Sequence, residues 1–416
     1  MASIFRFALY LGALLLAVSG ALAAPAAVEL DSGLIPDKYI VTLKSSAVAS
    51  TESHLNWVRD IHARSMAKRN TAGVERTFNV GTWNAYSGEF DKKTIEKIKA
   101  SPEVDAVELD DVMYFLGGAG SKPADILTQK NAPWGLAAIS HRNKGFTEYL
   151  YDSSAGADTY AYVVDSGVRH THSEFGGRVT LGGSAIGDAG ADNMGHGTHV
   201  AGIIGGSTYG VAKKVCTNII SVKIAGSGMF KTGALAGFDW AFNDIIAKKR
   251  VGRSVINLSL GGSSSKAWNA AIEAAFKRGV LSVAAAGNGD KGKPSKPLPV
   301  SGTSPANSPY ALTVASIDSG WRPARSTNYG PGVDIFAPGV EILSASNLTD
   351  TAIVTKRGTS MAAPHVAGLV VYLQAREGLR KPGDIIRRIK ELGTPDLVTG
   401  NLNGSPNLVA YNGNRM

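Results

Sequence analysis

The sequence predicts an α/β fold, a parallel sheet covered by helices on both faces, preceded by a small α+β domain. Three observations lead there. Beyond Trp134, short apolar runs at 161–164, 219–222, 255–258, 280–283 and 312–314 have the character of strands buried on both faces. Helical segments separate several of them, notably 233–249 and 267–278, and such alternation implies parallel strands joined by crossovers, with a site at their carboxyl ends. Ahead of this, residues 37–113 read as strand, helix, strand, taken twice: strands at 38–43, 74–80, 83–90 and 104–109, helices at 51–68 and 91–100. Two such halves suggest a split βαβ sandwich.

The ends and joints of the chain define its organisation. Residues 1–23 carry Arg6, an apolar run from 7 to 18 and then Ala21-Leu22-Ala23, which reads as a secretory signal too short to span a membrane. Residues 24–124 form the small domain and residues 125–416 the large one. Between them Gly117-Gly118-Ala119-Gly120-Ser121-Lys122-Pro123 reads as a flexible, cleavable linker. A secreted chain with one cysteine, Cys216, has no internal disulfide and relies on packing and on metal; Cys216 itself reads as a small buried residue with no base beside it.

The net charge of +9 is uneven, because residues 24–124 hold 12 Lys or Arg against 14 Asp or Glu, and the basic excess lies beyond them. No basic run is interleaved with aromatics, which argues against nucleic-acid binding.

Three stretches carry chemistry. Asp165-Ser166-Gly167 follows the strand at 161–164 directly. Gly195-His196-Gly197-Thr198-His199 opens a helix with small residues, His196 at its exposed end and His199 one turn on. A zinc protease helix would need Glu where Gly197 stands. Gly358-Thr359-Ser360-Met361-Ala362 opens a third element, where free N–H groups and the helix dipole favour negative charge on a carbonyl oxygen under attack. Taken singly, each is a cap or a turn. Together they supply carboxylate, imidazole and hydroxyl in the order Asp165, His196, Ser360. Ser360 would attack a carbonyl, His196 would take and return the proton, and Asp165 would orient the ring. Asn288, at the end of Ala284-Ala285-Ala286-Gly287-Asn288, can donate to the oxyanion beside the Ser360 N–H. That order is the subtilisin order and differs from the Ser-Asp-His order of α/β-hydrolases.

These four motifs resemble the signature set of the subtilisin-like serine proteases. Asn131-Ala132-Pro133-Trp134-Gly135-Leu136, the stretch 208–214 and the ending 404–413 resemble more closely the fungal secreted alkaline proteases of the oryzin type, within the proteinase K group. The resemblance covers nearly everything after Ala124, and residues 37–113 are similar to that family's inhibitor-type propeptide. It implies a secreted serine endopeptidase of broad specificity, acting as a monomer on polypeptides, favouring apolar or aromatic residues before the cut, and made as a zymogen that cleaves itself near Asp125 and is inhibited by its own propeptide. It implies two edge strands that hold substrate as an added strand, Gly226-Ser227-Gly228-Met229-Phe230 and Ser259-Leu260-Gly261-Gly262, with Phe230 on an outer pocket and Ala285 and Gly287 on the wall beside the scissile bond. It implies structural calcium on Asp334 and the carbonyls of Pro309 and Ala311. The loop 290–302 looks longer and more basic than the family's. Asn347 and Asn403 stand in glycosylation sequons, whereas Asn257 lies in a buried strand. Two rival readings are an inactive, peptide-binding homologue and a processing protease of the kexin kind; every catalytic position is filled, and no acidic cluster that would read basic residues is visible.

Overall fold

The computed structural model describes residues 34–65, 71–111, 114–115, 118–119, 129–152, 156–187, 191–213, 217–226, 228–290 and 296–414. The signal reading, Cys216 and Ser227 lie outside them.

The small domain runs β1 (Leu34–Leu43), α1 (Thr51–Ser65), β2 (Gly73–Val80), β3 (Trp83–Glu89), α2 (Lys92–Lys99) and β4 (Val104–Asp111). Its sheet has the order β2-β3-β1-β4, every pair antiparallel, so each strand-helix-strand half is split by a strand of the other. Asp91 caps α2, accepting from the amides of Lys93 and Thr94 at 2.9 and 3.0 Å. Val41, Leu43, Tyr86 and Phe90 from the strands close its core with Leu55, Val58, Ile95 and Ile98 from the helices.

Two short strands follow, β5 (Tyr114–Phe115) and β6 (Gly118–Ala119), and then α3 (Trp134–Ser140), β7 (Thr159–Asp165), β8 (Val179–Ser184), α4 (His196–Gly205) and β9 (Thr217–Lys223). The chain continues through α5 (Lys231–Ala247), β10 (Ser254–Leu258), β11 (Leu260–Ser263), α6 (Lys266–Lys277), β12 (Leu281–Ala285), β13 (Thr303–Ser304) and β14 (Ala311–Ile317). It ends with β15 (Ile335–Pro338), β16 (Ile342–Ala345), β17 (Ile353–Arg357), α7 (Thr359–Arg376), α8 (Pro382–Leu392), β18 (Thr394–Pro395) and β19 (Leu408–Val409).

Seven parallel strands, in the order β15-β14-β12-β10-β7-β9-β8, form the centre of a nine-stranded sheet. Alternate residues on β7 show why both faces are apolar: Ala161 and Val163 join the cluster with α4, α7 and α8, while Tyr162 and Val164 join the cluster with α5 and α6. The second cluster also takes in Phe78, Val80, Trp83 and Ala85, so the small domain is packed onto α5 and α6 by its own β2 and β3.

Acidic side chains complete that junction. Asp110 accepts from Thr232 N and Oγ1 at 3.1 and 2.8 Å in the first turn of α5, and Glu108 accepts at 2.6 Å from the hydroxyl of Ser265, the N-cap of α6. Both carboxylates thus sit at the positive ends of helices.

One expectation changes here. The glycine-rich stretch after Leu116 is not wholly irregular, since Gly118 and Ala119 pair antiparallel with Arg357 and Lys356. Near Gly226, whose N–H donates to Gly228 O at 3.4 Å, Phe230 makes a β-bridge and the chain turns into α5.

Candidate active site

Asp165 ends β7, where the parallel sheet delivers it fully buried. Both its carboxylate oxygens lie near His196 Nδ1, at 2.8 and 3.0 Å. His196 is the first residue of α4. Gly195 before it has φ +68, and a Cβ on Gly197 would stand 2.1 Å from the Gly167 carbonyl, so glycines on both sides let the ring approach the carboxylate. Asp192, which the sequence reading passed over, organises this helix start. Its Oδ1 accepts from Met194 N, Gly195 N and Ser166 Oγ, and its Oδ2 from Thr198 N and Oγ1. An aspartate three residues before a helix-opening glycine was the available signal. His199 faces away, its Nε2 3.0 Å from the Ile342 carbonyl, and burial holds its pKa down at about 3, with Lys356 adding to the effect. It is therefore a neutral packing residue.

Ser360 is the second residue of α7, after Gly358 at φ +134. Pro364 has no N–H to offer the Ser360 carbonyl four residues back. That carbonyl accepts from Ser259 Oγ instead, at 2.9 Å, while Ser360 Oγ donates to the Ser259 carbonyl at 3.0 Å. The two serines thus tie the start of α7 to the β10–β11 junction, and the Ser360 hydroxyl must turn from Ser259 to pass its proton to an imidazole. Asn288 is held from the same helix: its Oδ1 accepts from Thr359 N at 2.9 Å and Thr359 Oγ1 at 3.1 Å. With the oxygen so fixed, Nδ2 is left without a partner among the described residues.

A second residue missed from sequence is Asn328. Its buried amide donates to Ala286 O and Thr303 Oγ1 at 3.0 and 3.2 Å and accepts from Gly289 N and Leu298 N at 2.9 Å each. It joins the Asn288 loop to the segment that follows.

The other predicted positions fall around this centre. Leu260 and Gly261 on β11 pair antiparallel with Phe115 and Tyr114. Ala285 and Gly287 are buried in the wall beyond. Phe230 is 44% exposed, as are Ile186 and Met194. Asn347 is engaged, its Nδ2 donating to Asp192 O at 2.7 Å, whereas Asn403 is exposed in a turn at φ +47. Asn257 is completely buried.

The calcium set does not fit as it stands. Asp334 Oδ2 accepts from Thr313 N at 2.8 Å, and Oδ1 lies 2.5 Å from Lys390 Nζ. An internal ammonium thus occupies the carboxylate, and a calcium ion would have to displace it.

A buried carboxylate-imidazole pair, a hydroxyl at a helix start and an oriented amide, all at the carboxyl ends of a parallel sheet, define a serine hydrolase of the subtilisin kind. The chain belongs to the subtilase family, whose model matches residues 156–389; the peptidase inhibitor I9 model matches residues 38–116. It is a serine endopeptidase that carries an inhibitor-type propeptide ahead of its catalytic domain. It is 48% identical to an alkaline proteinase of Hapsidospora chrysogena over the whole of both chains, and 47% identical to alkaline protease 1 of Emericella nidulans over 99% of each. Among solved structures it resembles a cold adapted subtilisin-like serine proteinase, with TM-score 0.61 and 38% identity over 68% of this chain and 98% of that one. Fervidolysin from Fervidobacterium pennivorans, 24% identical with TM-score 0.69 over 92% of this chain and 61% of that one, shares the fold.

Proposed function

We propose that the chain is a secreted endopeptidase of broad specificity that frees itself from its own propeptide, with Asp165, His196 and Ser360 as the triad. The observation that carries this is the orientation of Asn288, whose Oδ1 is taken up by Thr359 N and Oγ1, which leaves Nδ2 as the donor available to an oxyanion. In this reading Ser360 Oγ attacks the peptide carbonyl and its proton passes to His196 Nε2. Asn288 Nδ2 and the Ser360 N–H hold the oxyanion, and His196 gives the proton to the leaving amine. Water then repeats the sequence on the acyl-enzyme. Asp165 keeps Nδ1–H fixed throughout and balances the imidazolium.

Exposed Phe230 and Ile186, with small residues at Ala285 and Gly287, support a preference for apolar or aromatic residues before the cut. The pairing of Tyr114–Phe115 along β11 supports a propeptide that reaches the cleft ahead of the catalytic domain. Secretion follows from the signal-like residues 1–23, and no described helix is long and apolar enough to cross a membrane. A glycan is expected on Asn403 and not on Asn347, whose amide is spent on Asp192.

The test is cleavage of p-nitroanilide peptides varied only in the residue before the cut, with and without a serine-directed phosphonylating reagent. Inhibitable turnover favouring Phe or Leu is expected. Folded, matured enzyme without turnover would leave only peptide binding, and a sharp preference for Lys or Arg would make it a processing protease. A Ser360→Ala chain is expected to accumulate as uncut precursor, and normal maturation of that variant would rule out self-cleavage.

A further inference from the structure

The edge of β17 bears two positive charges immediately before the nucleophile. Lys356 and Arg357 are the last residues of the strand, and Gly358, Thr359 and Ser360 follow without a break. Arg357 is exposed and Lys356 half-buried. Neither makes an ion pair or a side-chain hydrogen bond among the described residues. Burial lowers the pKa of Lys356, while Asp192 and Asp165 are near enough to favour its charge.

The edge is built to take an extended chain. One side of β17 pairs with β16, Ile342 opposite Lys356, and the other pairs antiparallel with β6, Gly118 opposite Arg357 and Ala119 opposite Lys356. Across the site, β11 pairs antiparallel with β5, Phe115 opposite Leu260. Ser259, next to Leu260, is the residue bonded to Ser360. A chain running in this one direction meets β11 first and β17 afterwards, with Ser360 between. The residue opposite Leu260 is therefore on the acyl side of the attacked bond, and the residue opposite Arg357 is on the leaving-group side. Three positions separate Phe115 from Gly118, so the residue facing Arg357 is among the first three after the cut.

Residues directly opposite on antiparallel strands project to the same face, and opposite charges there attract. In this chain those places hold Gly118 and Ala119, which offer the two cations nothing. Resting on the proteolytic reading above, we propose that Arg357 selects polypeptides carrying Asp or Glu within three residues after the cut.

The test uses the mature enzyme and internally quenched peptides with a constant acyl half ending in Phe. Their leaving half is alanine-based, with Asp, Ala or Lys placed singly at the first, second or third position. At one of these, kcat/KM is expected to favour Asp over Lys by roughly threefold to tenfold at low salt, the scale of an exposed ion pair, and to approach parity near 1 M salt. Arg357→Gln is expected to lose the preference, and Arg357→Glu to turn it toward Lys. Equal rates for all three peptides, or a preference indifferent to both salt and the substitutions, would overturn the proposal. If the variants fail to mature, the salt titration of the unaltered enzyme decides alone. Absence of any inhibitable cleavage would instead count against the proteolytic reading.

Discussion

Asn328 uses every hydrogen-bonding position of its side chain, and a Cβ on Gly287 would stand 2.2 Å from its Nδ2. Replacing Asn288 by Ala is expected to lower kcat by about 10²- to 10³-fold with KM little changed. Asn328→Ala, acting by letting the Asn288 loop drift, is expected to lower kcat by roughly 10- to 100-fold. Because one residue works through the other, the double variant should be hardly worse than Asn288→Ala alone; additive losses in kcat would reduce Asn328 to a packing role. Lys213 gives a residue-scale effect of another kind. Its ammonium is buried, donating to the Ser207 and Thr208 carbonyls, and burial lowers its pKa to about 7 although Glu174 pulls the other way. The unfolded chain, with an ordinary lysine, therefore binds more protons between about pH 7 and pH 10.5. Stability from this group rises with pH across that window. Thermal unfolding of inhibited enzyme should show the rise, and Lys213→Met should flatten it; an unchanged slope would refute the assignment.

At the scale of elements, legibility followed physical cause. The central strands were readable because burial on both faces leaves little but Val, Ile, Leu and Ala, and the three catalytic positions because small residues must surround them. Asn328 was not, since an Asn that satisfies distant amides looks like any turn residue until the fold brings those amides together, whereas Asp192 carried a local signal that was passed over. Lys390 was equally invisible, lying on α8 far from Asp334 in sequence. The competition of Lys390 with calcium for Asp334 can be checked by melting the enzyme with calcium and with chelator. The difference is expected to be small for the unaltered chain and larger for Lys390→Ala, in which Asp334 is left without a cation. Asp110, which accepts from the first turn of α5, and Glu108, which holds the N-cap hydroxyl of α6, belong to this scale too. Either residue changed to Ala should cost about 1 kcal/mol of propeptide docking, seen as earlier onset of activity when purified precursor matures.

At the scale of the whole molecule, the propeptide junction contains a titrating group. Asp239 on α5 accepts from Asn79 N of the small domain at 2.9 Å and from Asn243, and burial raises its pKa to about 6. Leaving the junction would return it toward an ordinary aspartate, so the docked form holds a proton that the parted form releases. Docking is then strongest at low pH and weakens as pH climbs through about 6. The delay before activity appears should shorten with rising pH in the unaltered precursor and lose that dependence in Asp239→Asn. The ladders on β11 and β17 carry a further meaning for what the enzyme meets outside. A target must surrender about half a dozen consecutive residues to straight backbone before Ser360 can reach it, something an intact helix or sheet does not do. Digestion of a folded protein will therefore keep time with that protein's own breathing. The order in which its loops fall will chart their local stability before it reflects any taste for particular side chains.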